Sequence, residues 1–409
     1  MRAESAYGWL VAPDPGARAR LEVELEGIYR ARGSEPGLPV GPQGFAELET
    51  ELLVGRYVSN PQPVFSRLPF DYRLVPSPVR SAGLRLLDRL HSGESAVGFP
   101  RWPYEQRLDD LRASLWAGAA AKAGHQLERP SYPDARRGAV VLTHDIDSRA
   151  DIGGIPELRA LESRFDLASS VGFIPHISWP ERAIIEKLVA DGCEIYCHDL
   201  GHNGKLPYKS LAAIRAGFEG FFDANPYARP LLRGFRSGQL LMSAELLGVL
   251  AEWFAYDLSL PDTERGGPYG SSAGCASVYP FLTNGLLEIP LTMPQDYYLT
   301  NVEHYDSPKM LSVWKDKLEA VLARGGVAVV NTHPVWTTPR RPAVWAAYEG
   351  LLEAIAKSDA WVTTPSSLQE WLLRCRNGVV RQEPSPARPL GGVSMSEPTS
   401  ASGEHADAP

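Results

Sequence analysis

From residue 138 onward, short apolar runs rich in β-branched residues alternate with amphipathic stretches. Such runs predict strands, the amphipathic stretches predict helices, and their alternation is typical of βα units around a parallel sheet. The predicted strands are residues 139–143, 172–177, 194–197, 232–235, 255–258, 287–291, 327–331 and 361–363. Seven or eight strands over about 235 residues predict an α/β fold, a barrel-like domain close to (β/α)₇₋₈.

One predicted helix has recognisable ends. Ser307 is a candidate N-cap, and Pro308 suits the first turn of the helix that follows. Gly325 and Gly326 supply a stop after the amphipathic stretch.

The regions on either side of this domain have a different composition. Residues 1–135 are rich in Pro, Arg and Leu, and proline at this density blocks long helices. Two helical stretches, 17–32 and 105–121, predict an irregular, α-rich N-terminal appendage with a modest core of its own. Residues 377–409 contain 18 Pro, Ser, Gly or Ala among 33, which predicts a disordered tail. The barrel-like domain is therefore assigned to residues 136–376.

Charge and composition narrow the classes of partner. The 409 residues include 41 Lys and Arg against 49 Asp and Glu, a formal charge of −8. This mild acidity argues against binding to nucleic acid or to an anionic membrane surface, because both need clustered basic side chains. A small-molecule or oligosaccharide substrate is the expectation.

Cysteine content and apolar runs bear on the compartment. Four cysteines are too few for a disulfide-stapled secreted scaffold. The first 20 residues lack a signal-peptide core, and no apolar run approaches the length of a membrane span. These features predict a cytoplasmic protein that does not enter the membrane.

Two aspartates follow the first predicted strand. Asp145 and Asp147 are two residues apart, and positions i and i+2 of a strand point to the same side. The C-terminal ends of barrel strands carry the active site, so the two carboxylates are candidates for chemistry there. An acidic turn that caps the next helix is the alternative.

Two histidines follow another predicted strand. His198 and His202 are four residues apart, which in a helical turn places both imidazoles on one face, within reach of one metal ion. Two unrelated histidines are the alternative. Two histidines and one carboxylate form a common catalytic metal set.

Three further signals lie at predicted strand ends. Arg233 and Arg236 stand at the end of one strand, where an arginine could hold a carboxylate ionised. Asp257 closes a short strand, and His333 follows an apolar strand. Each has an ordinary structural explanation, but their common position at strand C-termini favours one shared site.

The order of these motifs resembles that of the polysaccharide deacetylase family, also called carbohydrate esterase family four. The matching segments are Thr143-His144-Asp145-Ile146-Asp147, His198-Asp199-Leu200-Gly201-His202, Arg236-Ser237-Gly238-Gln239, Asp257 and His333. The resemblance covers about residues 138–374, and its two metal-site motifs are its most specific part.

The resemblance implies a role for each matched residue. The implied ligands of a divalent ion, usually zinc in this family, are Asp147, His198 and His202. The implied general base is Asp145, steadied by Arg236 with Arg233 as the alternate. His333 is the implied general acid, Asp257 is expected to help hold it protonated, and a backbone N–H near Gln239 is expected to bind the oxyanion.

The chain also departs from the family pattern. Aspartates 145 and 147 are separated by isoleucine, and Arg236-Ser237-Gly238-Gln239 lacks the proline and tyrosine that line the sugar groove in many members. The second departure favours a small amide or soluble glycan precursor over a polymer. The stretches LEIPLTMPQDYYL and NTHPVW loosely resemble deacetylase-like proteins of bacterial surface-polysaccharide gene clusters.

The sequence thus predicts a metal-dependent hydrolase of carbon–nitrogen amide bonds, an N-deacetylase of an N-acetylated sugar or glycan precursor. One alternative is hydrolysis of a small cyclic amide or ureide. Another is a catalytically silent barrel that acts as a binding protein. A non-haem iron oxygenase is disfavoured, since such enzymes usually carry a short His-x-Asp pair on a β-sandwich.

Overall fold

The computed structural model of the chain describes residues 3–5, 45–70, 102–122, 132–263 and 274–376, with a few single positions between them. In these ranges a curved, mainly parallel sheet is flanked by helices. The helix predicted at 17–32 and the disordered tail predicted at 377–409 lie outside the described residues.

All eight predicted strands are confirmed, with shifted ends. Within the described ranges the strands are β1 (Ala3–Ser5), β2 (Gly138–Ile146), β3 (Ser170–Phe173), β4 (Glu194–His198), β5 (Gly234–Arg236), β6 (Tyr256–Asp257), β7 (Phe281–Thr283), β8 (Leu286–Glu288), β9 (Val327–Thr332) and β10 (Ala360–Val362). Strands β1 and β7 were not predicted. They form an antiparallel addition beside β8.

The parallel strands form one continuous series in the order β9, β2, β3, β4, β5, β6, β8. Strand β10 pairs with the first residues of β2, whereas β3 pairs with the last residues of β2. Strand β9 pairs with β2 along parts of both of these stretches. Because a strand has two edges, β10 and β3 share one edge of β2 and β9 takes the other. Beyond β8, Met293 N–H donates to Val329 O of β9 (3.0 Å), so the series bends round on itself. This confirms the barrel-like α/β architecture.

Helices connect most of these strands. The main described helices are α1 (Phe45–Thr50), α2 (Arg107–Lys122), α3 (Ile155–Ser163), α4 (Arg182–Ala190), α5 (Leu211–Ala224), α6 (Ala244–Leu250), α7 (Asp296–Asn301), α8 (Ser307–Ala323), α9 (Pro342–Ala356) and α10 (Pro365–Arg376). The N-cap of α8 is Asp306, whose side chain accepts from Lys309 N–H (2.9 Å). The expected cap, Ser307, is instead the first helical residue, because the carboxylate one position earlier is the better-placed acceptor.

Alternation along β2 separates an inner from an outer core. Val140 and Leu142 belong to the cluster formed with the outer helices, whereas Ala139 and Val141 pack inside the sheet. Helix α10 contributes Leu368 and other apolar residues to the inner cluster. It therefore closes the end of the barrel at which the strands begin, opposite the predicted site.

The described part of residues 1–135 packs directly on the barrel. Helix α2 confirms the helix predicted at 105–121, and its residues Leu115 and Trp116 join the outer cluster that contains β2. Leu53 and Val54, next to α1, join the cluster on the outer side of β3. The modest separate core expected for the appendage is therefore absent among these described residues, because their apolar side chains are buried against the barrel. No helix in the described ranges is both long and apolar enough to cross a bilayer.

Candidate active site

The three predicted metal ligands meet at the C-terminal ends of β2 and β4. Asp147 directly follows β2, His198 is the last residue of β4, and His202 lies four residues later. Asp147 Oδ1 is 3.3 Å from His198 Nε2 and 3.4 Å from His202 Nε2. One ligand atom from each residue lies within 4.8 Å of the other two.

The two histidines converge through a turn, so the predicted helical spacing is wrong. Asp199 and His202 have positive φ values of 62° and 49°, which a right-handed helix does not allow. The Asp199 carboxylate stabilises this turn by accepting from Gly201 N–H (3.1 Å) and Gly238 N–H (3.0 Å). The turn still brings the two imidazole centroids to 4.7 Å.

The ligand atoms fit a divalent ion. His198 Nδ1 lies 3.1 Å from Arg236 O, and since a carbonyl only accepts, Nδ1 carries the proton and Nε2 keeps its lone pair. His198 Nε2 and Asp147 Oδ1 are both buried without a hydrogen-bond partner. Ligands about 2.0–2.2 Å from a tetrahedral ion lie roughly 3.3–3.6 Å apart, which matches the spacing of these atoms.

Gln239 determines which nitrogen of His202 is available. Its amide nitrogen lies 2.9 Å from His202 Nδ1, and its Oε1 is buried without a partner. The same nitrogen also donates to His202 O (3.1 Å). A half-turn of the amide would give up that bond and place Oε1 against a protonated Nδ1, the tautomer that leaves Nε2 free for a metal. Gly238 permits the close packing here, because a Cβ at that position would lie 2.6 Å from Asp199 Oδ2 and 2.9 Å from the His202 ring.

Asp145 is buried beside the three ligands and is held by neutral and charged donors. Tyr196 O–H and Arg236 Nη1 (3.1 Å) donate to its Oδ1, and Asn331 Nδ2 donates to its Oδ2 (2.7 Å). Oδ2 also lies 3.8 Å from His198 Nε2 and 3.9 Å from His333 Nε2. Burial alone would raise the pKa of Asp145, but the charge of Arg236, together with the His333 imidazole and the Tyr196 hydrogen bond, outweighs burial and lowers that pKa well below its usual range.

A glycine on the neighbouring strand makes room for Tyr196. Gly172 of β3 pairs in register with Tyr196 of β4, and a Cβ at Gly172 would lie 2.3 Å from the tyrosine ring. The ring therefore lies across β3 and carries its hydroxyl to Asp145 on β2.

The two predicted arginines separate. Arg236 is fully buried, and besides Asp145 its Nη1 donates to Asn331 Oδ1 (2.9 Å). Arg233 pairs with Glu370 of α10, both of them solvent-accessible, and its Nη2 contacts Gln369 (3.2 Å). Only Arg236 is placed at the site.

His333 is paired with Asp296, so the expectation that Asp257 supports it is wrong. Asp296 Oδ1 lies 2.7 Å from His333 Nδ1, and Asp296 Oδ2 accepts from His333 N–H (2.8 Å). Burial alone would lower the pKa of His333, but the Asp296 carboxylate outweighs burial and raises that pKa to about 10.

Asp257 lies on the other side of its strand. Its neighbours Tyr256 and Leu258 pack in the inner cluster, so its own side chain points outward. There it accepts from Leu258 N–H (3.0 Å) and from Ser259 O–H, and burial raises its pKa to about 6.

Several residues of the site were not predicted: Tyr196, Gln295, Asp296 and Asn331. Tyr196 and Asn331 each stand two positions before a predicted site histidine, so strand alternation alone places them on the same inner face. Gln295 and Asp296 lie at the start of α7, and no local pattern marks them.

Part of the N-terminal segment supports the loops of the site. Tyr57 O–H donates to Leu240 O (2.5 Å), beside Gln239. Lys205 Nζ donates to Leu68 O (2.7 Å), three residues after His202. The segment around α1 therefore braces the two loops that carry His202 and Gln239.

No protein-family model matches this chain, and no curated protein matches it either. Similar solved structures include two proteins assigned as polysaccharide deacetylases. The one from Mycobacterium smegmatis is 20% identical, with 64% of this chain and 98% of that chain covered and a TM-score of 0.49. The one from Pseudomonas aeruginosa is 16% identical, with 62% and 97% covered and a TM-score of 0.49.

An allantoinase, PuuE, is also similar at 16% identity, with 61% of this chain and 95% of that chain covered and a TM-score of 0.48. Polysaccharide deacetylases are thus among the solved structures that this chain resembles, as its motifs predict.

Proposed function

We propose that this chain is a metal-dependent hydrolase of carbon–nitrogen amide bonds that removes the acetyl group from an N-acetylated sugar or soluble glycan precursor. The observation that carries the proposal is the set of Asp147, His198 and His202, whose ligand atoms face one point beside a second, ionised carboxylate, Asp145. This combination of a metal set and an adjacent base is typical of hydrolases that activate water.

The metal would be held by the three clustered side chains. The chemistry that a divalent ion would supply there, zinc by the family resemblance, is polarisation of an amide carbonyl and acidification of a water molecule. Asp145 accepts the proton of the attacking water at Oδ2, and Arg236 keeps that carboxylate charged and oriented. A backbone N–H near Gln239 supports the oxyanion of the tetrahedral intermediate.

His333 supplies a proton to the leaving nitrogen. Asp296 contacts Nδ1, so the protonated Nε2 faces Asp145 at 3.9 Å across the site. A raised pKa keeps the imidazole charged at neutral pH, which a general acid requires.

The four cysteines are buried free thiols, which suits a reducing compartment, and we propose that the enzyme works in the cytoplasm.

The test is a screen for acetate release from soluble N-acetylhexosamines with zinc present. The wild type should release acetate, and Asp145→Asn should reduce the rate by roughly 100-fold or more because the base is lost. Asp191→Asn is the matched control, since Asp191 is exposed at the end of α4. Ring opening of allantoin without acetate release would favour the cyclic-amide alternative. Inactivity on every substrate would favour a silent barrel.

A further inference from the structure

A chain of hydrogen bonds fixes the orientation of two amide side chains at the site. Arg236 has only donors, so the atom of Asn331 that lies 2.9 Å from it is the acceptor Oδ1. Asn331 Nδ2 therefore faces the other way. It donates to Asp145 Oδ2 (2.7 Å) and to Gln295 Oε1 (3.1 Å).

Gln295 is the last residue in this series of hydrogen bonds, and its amide nitrogen is a donor that the series does not use. Because its Oε1 accepts from Asn331, its Nε2 is the end that remains, and this nitrogen makes no hydrogen bond to another described residue. Gln295 as a whole residue is half-buried. The next residue is Asp296, which holds His333. Gln295 is therefore linked to the proposed base through Asn331, and it directly precedes the residue that holds the proposed acid.

We propose that Gln295 binds substrate by donating from Nε2 to an acceptor oxygen next to the scissile amide. This inference rests on the proposed function and adds to it a residue that recognises the substrate. The oxygen belongs to the acyl part or to the hydroxyl groups of the amine part. The Asn331 contact holds the donor ready, so less conformational freedom is lost when the substrate binds.

The experiment measures binding by calorimetry to zinc-loaded protein, with acetate as the acyl probe and D-glucosamine as the amine probe. Gln295→Met removes the donor at similar volume and should weaken binding of one probe by roughly 3- to 10-fold, the effect of one lost hydrogen bond. Gln295→Glu keeps an acceptor for Asn331 but cannot donate, and should weaken acetate binding further by charge repulsion. Zinc content should be unchanged in both variants.

Gln106→Glu is the matched control. Gln106 lies in the N-terminal segment, where its side chain accepts from Arg324 (3.0 Å). It should bind both probes as the wild type does. If the wild type holds zinc and releases acetate but Gln295→Met binds both probes unchanged, this inference alone is overturned. Zinc loss in the Gln295 variants would also overturn it, by assigning the residue a structural role. A wild type without zinc would overturn it together with the proposed function.

Discussion

At the scale of single residues, the site depends on which carboxylate faces which imidazole. The Asp296 carboxylate contacts both the imidazole and the backbone N–H of His333. Asp257 points to the opposite face of its own strand. The contact partner decides the protonation state of the imidazole, since a carboxylate at 2.7 Å outweighs the effect of burial.

Replacing Asp296 should move the pH profile of the reaction. The pKa of His333 is raised to about 10, so the stability that this pair adds is fully present below the unfolded value of about 6.5 and is lost as pH rises through 10. In Asp296→Asn the pKa of His333 falls, and the alkaline limb of kcat should shift down by about one pH unit or more. An alkaline limb that stays in place would show that His333 is not the acid.

Prediction from sequence at this scale succeeded for residues that follow the ends of predicted strands and failed for Asp296, which does not. Asp145 and Asp147 follow strand alternation, and the same rule could have added Asn331 two positions before His333. Asp296 lies 37 residues before His333 in the chain, at the start of the short helix α7, where no local periodicity marks it. Its contact depends on how α7 packs against β9, which no local pattern encodes.

At the scale of elements, β2 is fixed from both of its faces. The inner face carries Asp145, while the outer face carries His144, whose ring nitrogens contact Glu162 of α3 (2.6 Å) and Thr332 of β9 (2.8 Å). Glu162 also accepts from Tyr348 O–H of α9 (2.7 Å). This buried network joins two helices to the strand that carries the proposed base.

Glu162→Gln should destabilise the fold by about 2–3 kcal/mol, because hydrogen bonds to a buried carboxylate are lost. Burial alone would raise the pKa of Glu162, but the contacts with His144 and Arg159 outweigh burial and lower this pKa to about 2. The stabilisation is therefore present above the unfolded pKa of about 4.3 and is lost as pH falls toward 2. Urea unfolding at pH 7 measures the difference, and Glu157→Gln, exposed on the same helix, should leave the midpoint in place. Equal midpoints for the two variants would contradict this account.

At the scale of the whole molecule, the described N-terminal segment and the barrel share their apolar clusters and a buried polar contact. Arg112 of α2 is paired with Asp109 (3.0 Å) and donates to Ala276 O (3.3 Å), while Asp109 accepts from Val278 N–H (3.1 Å). Lys317 of α8 contacts both Pro103 O and Asp262. These buried contacts make the segment around α2 part of the same folding unit as the barrel.

The chain should therefore unfold in a single transition in urea. Far-UV circular dichroism reports the helices and strands, while tryptophan fluorescence includes Trp116 of α2 and Trp314 of α8 in the shared cluster. Coincident midpoints are expected, because neither part can lose its shared core alone. Two separated transitions would instead assign the N-terminal segment to an independent domain.

Sequence periodicity predicted the parallel strands of this molecule, since each is a short apolar run. It missed β1 and β7, whose pairing joins Ala3 to Thr283. Their partner is set by tertiary contact between distant parts of the chain.

The most direct test of the central claim is the number of metal ions bound per purified chain, measured by elemental analysis after dialysis. The wild type should hold about one divalent ion, His198→Ala should lose it, and His176→Ala, an exposed histidine outside the cluster, should keep it. Full metal retention in His198→Ala, or a wild type that binds no divalent ion when zinc is supplied, would contradict the account.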